Sequence, residues 1–193
     1  MEQIKIKHRL FEKVEDLSES SFIAARKDKK YEVIVFDYSS EQGSKLLYSL
    51  SRIYNSGIKS PKIFYVDKKA GYIVRELVQG ENMMNFISKQ DITEDIYKAL
   101  FNNRYIAKAS SLTLNYEPDK WVLSDNCLYY MGTEFIPYDE SKDLVHKYMR
   151  LWFNTKELAE YLANNNLPYD KTRIKDEYST NKEIVLMTVK YYK

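Results

Sequence analysis

The sequence predicts an α+β chain in which a small antiparallel sheet comes first and helices follow. Three observations predict it. Up to Leu77, short runs rich in β-branched and aromatic residues are spaced by polar turns, with one helical pattern among them. From Asn82 onward, apolar residues recur mostly at helical spacing. That helical stretch is interrupted once, in residues 115–139, by two short apolar runs around Ser124, Asp125 and Asn126. Those three have hairpin-turn chemistry, because their small side chains bond their own backbone and tolerate left-handed angles.

Ile4, Ile6, His8 and Leu10 alternate with Lys5, Lys7 and Arg9, a period of two that predicts a half-buried strand. Residues 22–26 (FIAAR) and 31–37 (YEVIVFD) predict two more, separated by the polar turn Asp28-Lys29-Lys30. Ser39 and Gln42 have capping-box spacing. Behind them Leu46, Leu47, Leu50, Ile53 and Tyr54 predict a helix that Gly57 ends with a left-handed cap. Residues 62–66 and 71–77 predict a second hairpin, and Val78, Gln79 and Gly80 a connector.

Residues 82–87 predict a short amphipathic piece. Asp91 and Glu94 have capping-box spacing for a helix running to about Leu112. Its expected face is Tyr97, Phe101, Tyr105, Ala109 and Leu112, with Ile96 and Leu100 beside it. After the hairpin, Ser141 is the expected cap of a helix carrying Leu144, Val145, Tyr148, Met149 and Trp152. Asn154 and Glu157 mark another start, with Leu158, Tyr161 and Leu162 on one face and Pro168 beyond its end. Residues 171–178 are charged and expected at the surface. Thr180 and Glu183 are the expected start of a last helix with Ile184, Val185, Thr188, Val189 and Tyr192. Both tryptophans, Trp121 and Trp152, have apolar neighbours and are expected in the core.

Composition narrows the class. With 193 residues, 44% hydrophobic and 30% charged, the chain can bury a core and is not a disordered segment. Five glycines against 18 tyrosines argue against a glycine-rich phosphate loop. A net charge of +2 does not by itself imply nucleic acid, and the basic cluster Arg26, Lys27, Lys29 and Lys30 reads as a solvated tip. The single cysteine, Cys127, lies on an apolar run and is expected to be a buried thiol. His8 and His146 lack ligand-like spacing and read as structural. Neither a secretory apolar region nor a run near the ~20 apolar residues of a membrane span is present, so a cytoplasmic protein with no membrane partner is expected.

The element order is three strands, a helix, two strands, a connector, a long helix, a hairpin and further helices. In this order and in its apolar pattern the chain resembles the protein-kinase-like superfamily in its smallest form, as in RIO kinases and aminoglycoside phosphotransferases. The resemblance covers residues 4–165 and is clearest over 41–80, where GIKSPKIFYVDKKAGYIVRELVQGE stands for the strand pair that runs into the interlobe hinge. It implies one two-lobed domain over residues 1–193. Residues 1–77 would be the sheet lobe with one helix, and 81–193 the helical lobe with the catalytic-type hairpin.

The resemblance also places the family's working residues. The phosphate loop would fall on residues 16–22 (DLSESSF), which hold no glycine and carry Glu19. The phosphate-holding lysine would fall on Phe36, beside Asp37, and its glutamate partner near Gly43, with Glu41 close by. The catalytic base would fall on Asn115 and the two metal ligands on Lys120 and Gly132. Asn115 cannot accept a proton as a carboxylate does, and Lys120 repels Mg²⁺. Phosphoryl transfer draws its rate from positioning and charge neutralisation. The resemblance therefore implies a pseudokinase-like binding or scaffolding protein, with another protein as its partner and no cofactor. Two alternatives stand beside it. One is an atypical Mg-ATP phosphotransferase with a two-residue register shift, using Glu117, Glu134 or Asp139 among the acids that also include Asp119 and Asp125. The other is a nucleic-acid-associated module resting on the basic strand tips.

Overall fold

A computed structural model describes residues 2–192. The chain mixes α and β structure around a curled antiparallel sheet. Strands β1 (Gln3–Ile6), β2 (Arg9–Ser18), β3 (Ser21–Arg26) and β4 (Lys29–Val35) form successive hairpins. Helix α1 (Glu41–Asn55) follows, then β5 (Ile63–Asp67) and β6 (Tyr72–Glu76). All six strands join one sheet in the order β1-β2-β3-β4-β6-β5. β6 inserts between β4 and β5, so α1 carries the chain from the middle of the sheet to its edge.

The first strand expected from alternation is two strands. Lys7 takes a left-handed φ of 54° and donates its N–H to Asp67 Oδ2 at 2.7 Å, so the chain reverses there. β2 then runs to Ser18 through two register shifts, at Lys13/Glu15 and Asp16/Ser18. Such bulges bend a strand and increase its twist. They account for the curl of the sheet, and they place most of the expected phosphate-loop stretch in strand rather than loop.

Two apolar clusters cover the two faces of the sheet. Ile4, Ile6, Phe11, Phe22, Ala24, Val33 and Val74 pack on one face. Ile34, Phe36, Leu50 and Ile73 pack on the other, beneath α1. The N-cap of α1 is Ser40, one residue later than the capping-box spacing predicts, and its hydroxyl accepts from the Gly43 N–H at 3.0 Å. Gly57 takes the expected left-handed angle after the last turn, φ 87°.

The remaining residues carry most of the helix. β7 (Glu81–Asn82), α2 (Met83–Lys89), α3 (Glu94–Ala109) and β8 (Leu112–Thr113) lead into β9 (Trp121–Ser124) and β10 (Cys127–Tyr130). β11 (Ile136–Pro137), α4 (Lys156–Asn164) and α5 (Glu177–Tyr191) complete the chain. β9 and β10 form the expected hairpin, turning at Asp125 and Asn126 with φ of 47° and 59°. Two successive left-handed residues match the right-handed twist of the strands they join.

Several caps differ from expectation. Thr93, not Asp91, precedes α3, and Asp91 instead receives bonds from Asn154 and Arg173. α3 ends at Ala109, and Ser111 takes a left-handed φ of 56° that puts Leu112 in β8. Its buried face is Ile96, Tyr97, Leu100, Phe101, Asn103, Arg104 and Ala107, while Tyr105 and Ala109 are exposed. Asp143 rather than Ser141 caps the next segment, which is a π turn followed by a 3₁₀ turn. Thr155 rather than Asn154 caps α4, and α5 begins at Glu177 under an Asp176 cap.

Trp121 and Trp152 are both fully buried, as expected, and meet edge to face at 6.3 Å. They centre a large cluster that joins α2, α3, the hairpin, the 144–153 segment and α4. The Trp152 indole donates to the Tyr116 carbonyl at 2.7 Å, and the Trp121 indole to the Asn115 carbonyl at 3.2 Å. Among the described residues, no helix is long and apolar enough to cross a membrane.

Candidate functional site

The two groups of site residues expected from sequence occupy two adjoining places. One is the approach to the hairpin, residues 115–120 and 130–134. The other is a cleft of about 550 Å³ between the sheet and the start of α1. Thr133, the neighbour of Gly132, lies in the wall of that cleft and links the two.

At the hairpin, Asn115 is locked in place. Its side chain donates to Glu117 Oε2 at 3.0 Å and accepts from the Glu117 N–H at 2.9 Å. Its own N–H donates to the Tyr130 hydroxyl at 3.2 Å. Pro118, Asp119 and Lys120 form a 3₁₀ turn into β9. There the Lys120 ammonium contacts Asp119 Oδ2 at 2.5 Å, and Tyr161 donates to the other oxygen of Asp119 at 2.9 Å. The Asp119 hydrogen bond raises the pKa of Lys120 above the ordinary lysine value, and Glu117 and Glu134 add to the effect through space. Lys120 is thus paired with Asp119, its neighbour in the chain.

Gly132 has no room for a side chain. A Cβ there would stand 2.2 Å from the Tyr130 hydroxyl oxygen and 2.3 Å from its ring. Tyr130 is buried against Trp121, and burial pushes its hydroxyl pKa up to about 12. Glu134 is exposed. Asp139 is turned elsewhere: it accepts from the Ser141 N–H at 3.0 Å and hydroxyl at 2.6 Å and pairs with Lys142 at 3.2 Å. Those contacts hold its pKa below the usual aspartate range, the Ser141 side chain most strongly. Among the described residues, no group of three or more His, Cys, Asp or Glu is arranged to hold a metal ion.

In the cleft, Phe36 lies in the wall, buried and edge-on to Tyr38. Gly43 sits in the first turn of α1, where a Cβ would approach the Asp37 carbonyl oxygen to 1.9 Å. A glutamate therefore does not fit at that position. Glu41 points away and pairs with Lys45 at 2.6 Å on the surface. The Asp37 carboxylate accepts from the Ser39 hydroxyl and N–H, which lowers its pKa. The β2–β3 turn contributes Ser20 and Ser21 to the cleft wall.

Other expectations are corrected. Cys127 is exposed at the end of the hairpin, because the alternation of β10 buries Leu128 and Tyr130 instead. His8 and His146 are both exposed, so neither packs in the core. The basic tip is solvated as expected: Lys27, Lys29 and Lys30 are exposed, and the Arg26 guanidinium lies 6.0 Å from the Phe11 ring centre.

The site also contains groups that the sequence reading did not single out. Glu32 on β4 and Arg75 on β6 form a buried bidentate pair inside the cleft. A charged residue at an otherwise apolar strand position was the available signal, because Glu32 shares its face with Ile34 and Phe36. The bonds of Asp119 to Lys120 and Tyr161 left no sequence signal, since Tyr161 arrives from α4. No protein-family model matches the chain, and no curated protein does.

Proposed function

We propose that the chain is a kinase-like protein that does not transfer phosphate and works by binding. The observation that carries this reading is Lys120. Where a metal-dependent phosphotransferase needs carboxylates free to hold Mg²⁺, here Asp119 is paired with an ammonium that is part of the chain, and Glu117 and Glu134 act on it through space. The order of β2, β3, β4, β6 and β5, with α1 entering after β4, supports the kinase-like part of the reading. So do the hairpin and its approach, which follow the long helix α3.

The cleft supports the absence of nucleotide chemistry. Phe36 offers no charge to a phosphate, Gly43 leaves no place for a glutamate, and the tight β2–β3 turn contains no glycine. A protein partner is favoured by the outer face of α5. Tyr178, Val185, Leu186 and Val189 are 79%, 58%, 57% and 75% exposed there, an apolar stripe larger than scattered surface residues make.

The test is calorimetry with Mg-ATP followed by a turnover assay. No binding tighter than about 1 mM, or about −4.1 kcal/mol, is expected, and no phosphate release with Mg²⁺ or Mn²⁺. The competing reading is a phosphotransferase that uses Glu117 or Glu134. It requires wild-type turnover that falls at least ~10²-fold in Glu117→Gln or Glu134→Gln. Metal-dependent micromolar binding of ATP would overturn the proposal.

A further inference from the structure

The cleft beneath α1 contains a charged pair that the fold does not need. Glu32 and Arg75 stand directly opposite each other on β4 and β6. Arg75 donates through Nε and Nη2 to the two oxygens of Glu32, at 2.9 and 2.7 Å. The two residues are 5% and 8% exposed. Desolvation cancels most of the attraction in such a pair, and apolar residues of similar volume often hold a core as well or better. The neighbours on this face, Ile34, Phe36 and Ile73, are apolar and make no demand for charge.

What the pair does have is access to the cleft, since both residues lie in its wall. Glu32 occupies two of the three guanidinium nitrogens. Among the described residues, none accepts a hydrogen bond from the third, Nη1, and that atom is not sealed from solvent. Two N–H donors are therefore available to whatever enters.

The charges decide the class of ligand. Glu32 neutralises Arg75, Asp37 adds a second acid to the wall, and among the described residues no lysine or further arginine lines it. A phosphate or carboxylate would meet side chains with a negative balance, which the N-terminal turn of α1 at Ser40 to Gly43 offsets only in part. A neutral acceptor would meet free donors without that repulsion. Ile34, Phe36 and Leu46 supply apolar wall, and the volume lies within the ~300–1,000 Å³ of small-molecule sites.

We propose that this cleft binds a neutral, mainly apolar small molecule through a carbonyl or ring-nitrogen acceptor that bonds to Nη1 of Arg75. Glu32 holds the guanidinium in position for it. The inference rests on the reading of the chain as a binding protein and gives that reading a ligand class.

A matched pair of probes tests it. 2-Naphthamide and 2-naphthoate share a shape, but only the second is charged. Binding to the wild type is followed by NMR at the Arg75 Nε–H, and affinities for the wild type and for a Glu32→Leu, Arg75→Met double variant are measured by calorimetry. Removing both charges together leaves no unpaired ion, so the melting temperature should hold. Arg75→Lys, which keeps the charge opposite Glu32 but lacks the forked donors, serves if the double variant fails to fold. The naphthamide is expected to shift the Arg75 signal, to bind about tenfold or more tighter than the naphthoate, and to lose about tenfold or more in either variant. Tighter binding of the naphthoate would overturn the proposal. So would naphthamide affinity unchanged in the variants, or no naphthamide binding to the wild type. Mg-ATP binding would sink the phosphate-free reading of the chain without deciding this result.

Discussion

At the residue scale, the space at Gly132 beside the hairpin is filled by packing. Gly132 is pressed against Tyr130, whose ring is fixed by Trp121 and whose hydroxyl accepts from the Asn115 backbone. An aspartate at that position would therefore meet the Tyr130 ring. Gly132→Asp is expected to destabilise the protein by about 1–3 kcal/mol, the usual cost of forcing atoms into a filled core. Urea unfolding measures this, and Mg²⁺ should leave the midpoint of the variant where it was. A variant as stable as the wild type would mean that Tyr130 can swing aside. Lys120 complements the steric block. Its ammonium is paired with Asp119 and lies in the field of Glu117 and Glu134.

At the element scale, most helix positions were legible and several caps were not. Ser39, Ser141 and Asn154 were each expected to cap, and Ser40, Asp143 and Thr155 do so. Neighbouring residues of the same chemistry compete for one N-cap, and the entry angle of the chain chooses between them. Asp91 is the instructive exception. Instead of capping α3, it ties the loop before α4 to the segment before α5 through Asn154 and Arg173. The Asn154 bond, then the Arg173 bond, lowers its pKa below the ordinary aspartate value. A depressed carboxylate contributes stability that is fully present above its unfolded pKa of about 4 and is lost as the pH falls through the folded value. Asp91→Asn should thus melt below the wild type at neutral pH, and the gap should close on acidification below about pH 4. Paired melting curves from pH 7 to pH 2.5 check this. A gap independent of pH would mean that the Asp91 charge does not matter.

At the scale of the whole molecule, the aromatic cluster around Trp121 and Trp152 unites elements distant in sequence. Trp121 stacks on Tyr116 at 5.8 Å, and the Tyr97 hydroxyl of α3 donates to the Trp152 carbonyl at 2.5 Å. Trp121→Ala removes the centre of this arrangement and is expected to cost about 3–5 kcal/mol by denaturant unfolding. A loss below about 1 kcal/mol would show that the cluster closes over the gap. The outer face of α5 remains the opposite case. The helical spacing of Val185 and Val189 predicted packing, yet both face outward, because Ile184, Met187 and Tyr191 take the packed side.

The local pattern of the sequence by itself determined most of the strand and helix order, the Asp125–Asn126 turn and the burial of both tryptophans. Those features follow from side-chain period, turn chemistry and residue identity, which need no distant partner. Only the tertiary structure decided that Tyr161 of α4 bonds to Asp119, that the Trp152 indole reaches the Tyr116 carbonyl and that Glu32 meets Arg75 in the cleft. It also exposed Cys127 and split the first strand at Lys7, whose N–H bonds to Asp67 from sixty positions away. Each of these depends on two segments brought together by folding, and no one-dimensional pattern records which segments those are.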